Sequence, residues 1–185
     1  MSKEISVYDK QFIKYLSQQE IETRIAQMAA AMEEDYKNER PIFIIILNGA
    51  FMFGTQLLKG FKNECSIEFV KLISYVGTES SGEVITGIDI IADKIRGKDV
   101  VILEDIIDSG ITMEFFIDYL YEQCNPKSVE IACLLFKPEN LKKDLNLKYV
   151  GFSIPSLFVI GYGLDYDGLG RNLSDIYQIV NTEAE

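Results

Sequence analysis

Three stretches of the chain are apolar almost without interruption: Ile42–Leu47, Val100–Leu103 and Val129–Phe136, the last with one acid in it. Such runs suit strands buried on both faces, as in a parallel sheet. Between them the spacing changes to a helical period. Phe51 to about Phe61 predicts one helix and Met113–Leu120 another;. From Asp9 to Tyr36 apolar residues recur at Phe12, Ile13 and Leu16, then at Ile21, Ile25, Met28, Ala29 and Met32. This predicts a short helix followed by a longer one, with Ser17 and Glu20 spaced as a capping box at the second start. Ile67–Ile73 alternates, Val84–Ile90 resumes strand character, and Lys148–Pro155 is extended;. Strands alternating with helices predict an α/β fold with a mostly parallel central sheet.

The chemistry-bearing residues sit where strands end. After Leu103 come Glu104, Asp105, Ile106, Ile107, Asp108, Ser109, Gly110, Ile111 and Thr112, and then a helical pattern. Backbone N–H groups at such a helix N-terminus attract anions, and a glycine admits a close approach. Carboxylates repel a lone phosphate, so the three acids point to a ligand with more to offer, such as sugar hydroxyls held directly or through a divalent cation. Taken singly, Asp105 or Asp108 reads better as a helix cap in a solvated loop, but two adjacent acids and a third right after a buried strand do not. Asn48 and Gly49 repeat the design after the first apolar run, as an ordinary βα turn or a second anion site. Ser74 to Val84 is long and polar, which fits a lid or the tip of a hairpin arm;. Lys137 closes the Val129–Phe136 strand as a surface group or a ligand donor;.

Composition narrows the classes. A chain of 185 residues is read as one domain, 1–185;. It has no apolar run near the ~20 residues of a membrane span, and Met1-Ser2-Lys3-Glu4 has no signal-peptide pattern;. Its three cysteines have no metal-ligand spacing, so a reduced, cytoplasmic protein is expected;. A net charge of −11 argues against nucleic acid or membrane as partner;. With no histidine in the chain, proton transfer falls to Asp, Glu, Lys, Tyr or Cys;. Gly161-x-Gly163 lacks the rest of a dinucleotide fingerprint, and in Asp165-x-Asp167-Gly168 the glycine comes too early for a calcium loop;.

The run Leu103–Thr112 closely resembles the phosphoribosyl-diphosphate (PRPP) motif of the purine phosphoribosyltransferases. Further matches follow in order. Leu47–Phe53 resembles the pyrophosphate loop and Ser74-Tyr75 through Gly82 the flexible catalytic loop. Phe136-Lys137, Phe158–Tyr166 and Arg171–Leu173 resemble the purine-end motifs of the hypoxanthine (hypoxanthine-guanine) branch. The likeness runs from about residue 41 to the C-terminus.

The resemblance implies a Rossmann-like type I phosphoribosyltransferase fold with a flexible hairpin loop and a small hood, built from N-terminal helices within 9–36 and from 149–180. It implies transfer of phosphoribosyl from PRPP to hypoxanthine or guanine, in purine salvage, with Mg2+. By the same analogy, Glu104 and Asp105 would hold ribose hydroxyls or Mg2+, and residues Ile106 to Thr112 the 5′-phosphate. Asp108 would accept the proton at purine N7. Asn48, Gly49 and Arg171 would bind diphosphate. Lys137, Phe158 and Val159 would bind the purine, and Asp165 a second Mg2+. Partners would be small-molecule substrates and further copies of the chain, as a homodimer or homotetramer. One departure stands out: Asn48 replaces the usual lysine of the pyrophosphate loop. A regulator that kept the fold but lost catalysis would lack Asp108 or the lid, or would carry a basic nucleic-acid domain. This chain retains the first two and has no such domain.

Overall fold

The computed structural model describes residues 4–74, 83–86 and 88–180. The chain starts with a hairpin, β1 (Glu4–Val7) and β2 (Lys10–Leu16). The short helix expected here is therefore a strand. Its partner explains why: β2 pairs with a strand near the other end of the chain, with Phe12 opposite Ile179, a contact that local spacing cannot register. The longer helix forms as expected, as α1 (Gln18–Asp35), with Ser17 and Glu20 making the capping box. Then follow β3 (Ile42–Leu47), α2 (Phe51–Gly60), β4 (Ser66–Ser74) and β5 (Glu83–Thr86), which returns antiparallel to β4 as a hairpin arm. The strand expected over 84–90 stops at Thr86, and Ile88–Ile95 is a helix, α3. Ile88, Ile91, Ala92 and Ile95 carry a helical period that overlaps the alternation before it;.

β6 (Asp99–Ile107), α4 (Ile111–Tyr119), β7 (Ser128–Phe136) and β8 (Tyr149–Ser153) complete the large sheet and its helices. The sheet order is β5-β4-β3-β6-β7-β8. All neighbours except β5 run parallel. β3 shows why an uninterrupted apolar run is needed. Phe43 and Ile45 pack towards α1 and α2, whereas Ile42, Ile44 and Ile46 join Ile95, Met113 and Phe116 on the other face. Each such side chain contributes about 1.5–3 kcal/mol by leaving water.

The last strands, β9 (Val159–Ile160) and β10 (Ile176–Ile179), join the first two in a separate sheet of order β1-β2-β10-β9 around Phe12, Ile160 and Tyr177. Tyr149–Ser153, grouped with the hood at the sequence level, lies at the edge of the large sheet instead. Asp175 ties the two layers together. Its carboxylate accepts from the Gln18 amide at the start of α1 (2.8 Å) and pairs with Lys14 of β2 (2.5 Å).

Burial alone would raise the Asp175 pKa, but the Lys14 and Gln18 hydrogen bonds outweigh it and hold the carboxyl below its ordinary value. The folded state therefore favours the charged form. The resulting stability is complete above the unfolded pKa of about 4 and is lost as pH falls through the lower folded value. Asp175→Ala should cost about 1 kcal/mol at neutral pH. In urea titrations its deficit against the parent protein should shrink below about pH 4. An unchanged deficit at low pH would refute the electrostatic account.

Candidate active site

β3 and β6 are neighbours, and both end beside a cleft of about 340 Å3. Its wall takes Glu104, Asp105, Ile106, Ile107, Asp108, Ser109, Gly110 and Thr112 from β6 and the turn after it, Gly49 from the turn after β3, and Asp165 and Arg171 from the C-terminal segment. Leu72 and Met113 supply apolar surface that the sequence analysis did not single out. The acids Glu104 and Asp105 were expected in a loop. They are instead the closing residues of a strand, because β6 stays in register with β7 as far as Ile107 opposite Phe136. A strand holds them more rigidly than a loop would. Of the remaining residues expected in the motif, Ile111 is exposed and opens α4, outside the wall.

Gly110, at φ +76°, makes the turn into α4, and no side chain caps that helix. The Ile111 amide leans on the Ser109 hydroxyl at 3.4 Å. The α4 amides thus open into the cleft beside Ser109 and Thr112, with the positive end of the helix dipole behind them;.

Glu104 and Asp105 make no ion pair with another described residue. Asp105 accepts from the Ile106 amide at 2.8 Å, and Glu104 from the Asp105 amide at 3.2 Å. Burial, and then the adjacent Asp105 charge, push the Glu104 carboxyl well above its usual range. A half-buried, uncompensated pair of carboxylates is a fitting seat for a hard divalent cation. Among the described residues, however, no three Asp, Glu, Cys or His side chains converge as a metal cage. The pair therefore suits Mg2+, which binds through one or two carboxylates and takes its other oxygens from water and substrate. Asp165 does not join this pair. It is engaged by Arg171 at 2.6 Å and by the Gly168 amide at 2.7 Å.

Asp108 stands at the rim between two donors. Its Oδ2 faces the Lys137 ammonium at 2.8 Å, and its Oδ1 accepts from Asn140 Nδ2 at 2.8 Å. Burial raises its pKa, but the hydrogen bonds from Lys137 and Asn140 win, and the carboxyl lies below its ordinary value. Lys137 is nearly buried and Asp108 half exposed, so the carboxylate is the open member of the pair. Sequence reasoning missed Asn140. Its signal was Pro138 just after Lys137, which starts a 3-10 turn and brings residue 140 back over the strand end;.

The turn after β3 is wedged between two elements. A Cβ on Gly49 would overlap the Asp105 carboxylate, and one on Gly163 would overlap the Gly49 carbonyl. Arg171 donates to the Gly163 carbonyl at 2.8 Å while holding Asp165. Asn48 is exposed, follows Leu47 through a cis peptide and does not line the cleft.

Phe158 and Val159 lie off the cleft wall. Phe158 is 45% exposed, with its ring near Phe12 (6.4 Å) and edge-on to Tyr166 (5.9 Å). Val159 is buried in β9. Asn140 reaches towards this segment through Ser156 Oγ at 3.0 Å. Ser74 ends β4, and Tyr75 lies outside the described residues.

The glycine wedge makes a direct stability test. Gly168 has φ +79° with open space around it, whereas Gly163 has φ +104° and backbone against it. Gly168→Ala should cost about 1 kcal/mol, from backbone strain alone. Gly163→Ala should cost about 3 kcal/mol or more. Equal losses in denaturant midpoint would show that the wedge carries no weight.

A model of the phosphoribosyl transferase domain matches residues 14–167. The hypoxanthine-guanine phosphoribosyltransferase of Staphylococcus epidermidis is 43% identical over 85% of this chain and 88% of its own. That of Aquifex aeolicus is 37% identical over 89% of this chain and 92% of its own. The crystal structure of a hypoxanthine phosphoribosyltransferase from Staphylococcus aureus superposes with a TM-score of 0.82 at 35% identity, covering 90% of both chains. The chain therefore belongs to the phosphoribosyltransferase family, in the branch that holds the hypoxanthine-guanine phosphoribosyltransferases.

Proposed function

We propose that the chain is a purine-salvage enzyme that transfers the phosphoribosyl group of PRPP to hypoxanthine or guanine, releasing diphosphate and IMP or GMP. The observation that carries this reading is the Asp108–Lys137 pair, 2.8 Å apart, with Asp108 on the wall of the acid-and-amide cleft and Lys137 just behind it. On a 6-oxopurine the exocyclic O6 and ring N7 are neighbours on one edge. Lys137 donates to O6 and Asp108 takes the proton from N7. The purine N9 attacks the anomeric carbon as its bond to diphosphate breaks.

The other residues serve the two ends of PRPP. The amides at the start of α4, with Ser109 and Thr112, hold the 5′-phosphate. Glu104 and Asp105 orient the ribose hydroxyls and lend negative charge near the oxocarbenium-like centre. The same two carboxylates would hold Mg2+, which when bound supplies charge neutralisation for the diphosphate leaving group. Arg171 reaches the diphosphate with the donors not occupied by Asp165 and Gly163, and the Gly49 turn offers backbone. Asn48 brings no charge to that end. Phe158 presents its exposed ring to the base, and the Val159 backbone reads its edge. Asp165 steers Arg171 and would help to hold a second Mg2+. The family's small-molecule substrates fit a cleft of this size. The exposed Ile67 and Phe69 on β4 favour self-association as a homo-oligomer;, and the reaction belongs in the cytoplasm, where the three thiols stay reduced.

Purified protein with PRPP, Mg2+ and one base at a time is the test, following nucleotide and diphosphate. Hypoxanthine and guanine should turn over and adenine should not. Adenine's 6-amino group faces the Lys137 donor and leaves one donor unpaired, at about 1–3 kcal/mol. Asp108→Asn should slow turnover about 10²-fold or more. Turnover of adenine alone, or an unimpaired Asp108→Asn, would sink the reading.

Chelation with EDTA should abolish turnover, and added Mg2+ should restore it. Glu104→Gln combined with Asp105→Asn should raise the Mg2+ concentration needed for half-maximal rate by at least about tenfold. Full activity in EDTA would remove the cation from the scheme.

A further inference from the structure

Three successive contacts dock the segment after β7 onto the end of β6. The Lys137 amide donates to the Ile107 carbonyl at 2.9 Å. The Asn140 side chain donates to Asp108 Oδ1 at 2.8 Å. The Lys142 amide donates to the Ser109 carbonyl at 3.0 Å. Two of these are backbone contacts and would survive most substitutions. The middle one depends on a single side chain.

Asn140 is fixed by its own surroundings. Its amide N–H closes the 3-10 turn onto the Lys137 carbonyl at 3.1 Å. Its Nδ2 is shared between Asp108 Oδ1 and Ser156 Oγ, 3.0 Å away and two residues before the exposed ring of Phe158. A carboxylate can rotate about its last bond. With Oδ1 held by Asn140, rotation is blocked and Oδ2 stays on the Lys137 side. We propose that Asn140 is a positioning residue for the proton transfer: it clamps Oδ1 of Asp108 so that Oδ2 alone meets the base, and it ties that orientation to the Phe158 segment. The inference rests on the reading of Asp108 as proton acceptor.

The arrangement divides labour between the two oxygens. Lys137 can leave Oδ2 for the purine O6 when the base arrives, so Oδ2 becomes free as N7 presents its proton. Asn140 is neutral and has no base oxygen to follow, so it stays on Oδ1. The charged groups acting on Asp108 are Lys137 and, farther off, Lys142. The Asn140 hydrogen bond adds to their effect in favouring the carboxylate.

The test uses the full chain and three variants, Asn140→Ala, the near-isosteric Asn140→Asp, and Asp108→Asn. The readouts are kcat, KM for PRPP and for hypoxanthine, and the acid limb of the kcat/KM profile. Losing a donor raises the Asp108 pKa, and activity needs the carboxylate, so the limb should move to higher pH in Asn140→Ala. It should move further in Asn140→Asp, where a second carboxylate replaces the donor. In Asn140→Ala, kcat should fall about tenfold, part of the 10²–10⁴-fold that a positioned proton acceptor supplies, with KM for PRPP unchanged. A purely structural role would lower the melting temperature and leave the limb where it was. Asn140→Asp, which keeps the shape, decides the matter should Asn140→Ala fold poorly. If both Asn140 variants keep the parent limb and kcat while Asp108→Asn is crippled, the positioning role is wrong and the proton acceptor stands. If Asp108→Asn stays active, the underlying reading fails and takes this one with it.

Discussion

The site depends on one run of parallel pairing, β6 against β7, held at constant offset from Asp99 opposite Ser128 to Ile107 opposite Phe136. Because the register never slips, the residue after each strand lands beside its counterpart, and Asp108 meets Lys137. The same pairing keeps Glu104 and Asp105 extended at the strand's end. It also places Cys133 opposite Glu104, where burial, and then the Glu104 carboxylate, push the thiol up to about 12 and leave it an inert core group. A slip of one residue would turn each of Glu104 and Asp105 to the face opposite its present one and undo all three placements. β6 and β7 bury side chains on both faces, so the large apolar cores on either side of the sheet hold the register that the chemistry needs.

Much of this could be read from the chain alone. β3 was legible at both ends, since Pro41 precedes the run and Asn48-Gly49 follows it. The capping box at Ser17 was legible because it is a local device whose two hydrogen bonds span three residues;. What was not legible depended on distant partners. β2 resembles a helix until Ile176–Ile179 is beside it. The end of β6 looks like a loop because three acids break the apolar run, and only the β7 ladder keeps it extended.

The site shows the same division. Apart from Ile111, the residues from Glu104 to Thr112 all line the cleft, and a motif drawn from one short stretch is legible in sequence. Asn140 is separated from Asp108 by 32 positions, and its one sequence signal, Pro138, marks a turn without saying what the turn brings Asn140 against. Asp165 and Arg171 stand six positions apart in sequence, and only the structure shows their ion pair beside the Gly49 turn.

Charge sets the last constraint. On the proposed reading, a chain of net charge −11 must take up a substrate with phosphates at both ends. Bulk attraction is of the wrong sign, and screening confines it to about 8–10 Å at ordinary ionic strength. Binding must therefore come from local donors. The α4 amides provide them at one end, with partial positive charge from the helix. At the other end Asn48 withholds the expected lysine, and Arg171 already shares its charge with Asp165. On that reading the diphosphate end is short of positive charge, next to two carboxylates that pair with no described lysine or arginine. On that reading a divalent ion would answer both deficits at once, and the acidic pair would then favour phosphate binding instead of opposing it. Burial and the adjacent Asp105 charge hold the Glu104 carboxyl well above its usual range in the protein alone;, and on the same reading a bound cation would draw it into the charged form.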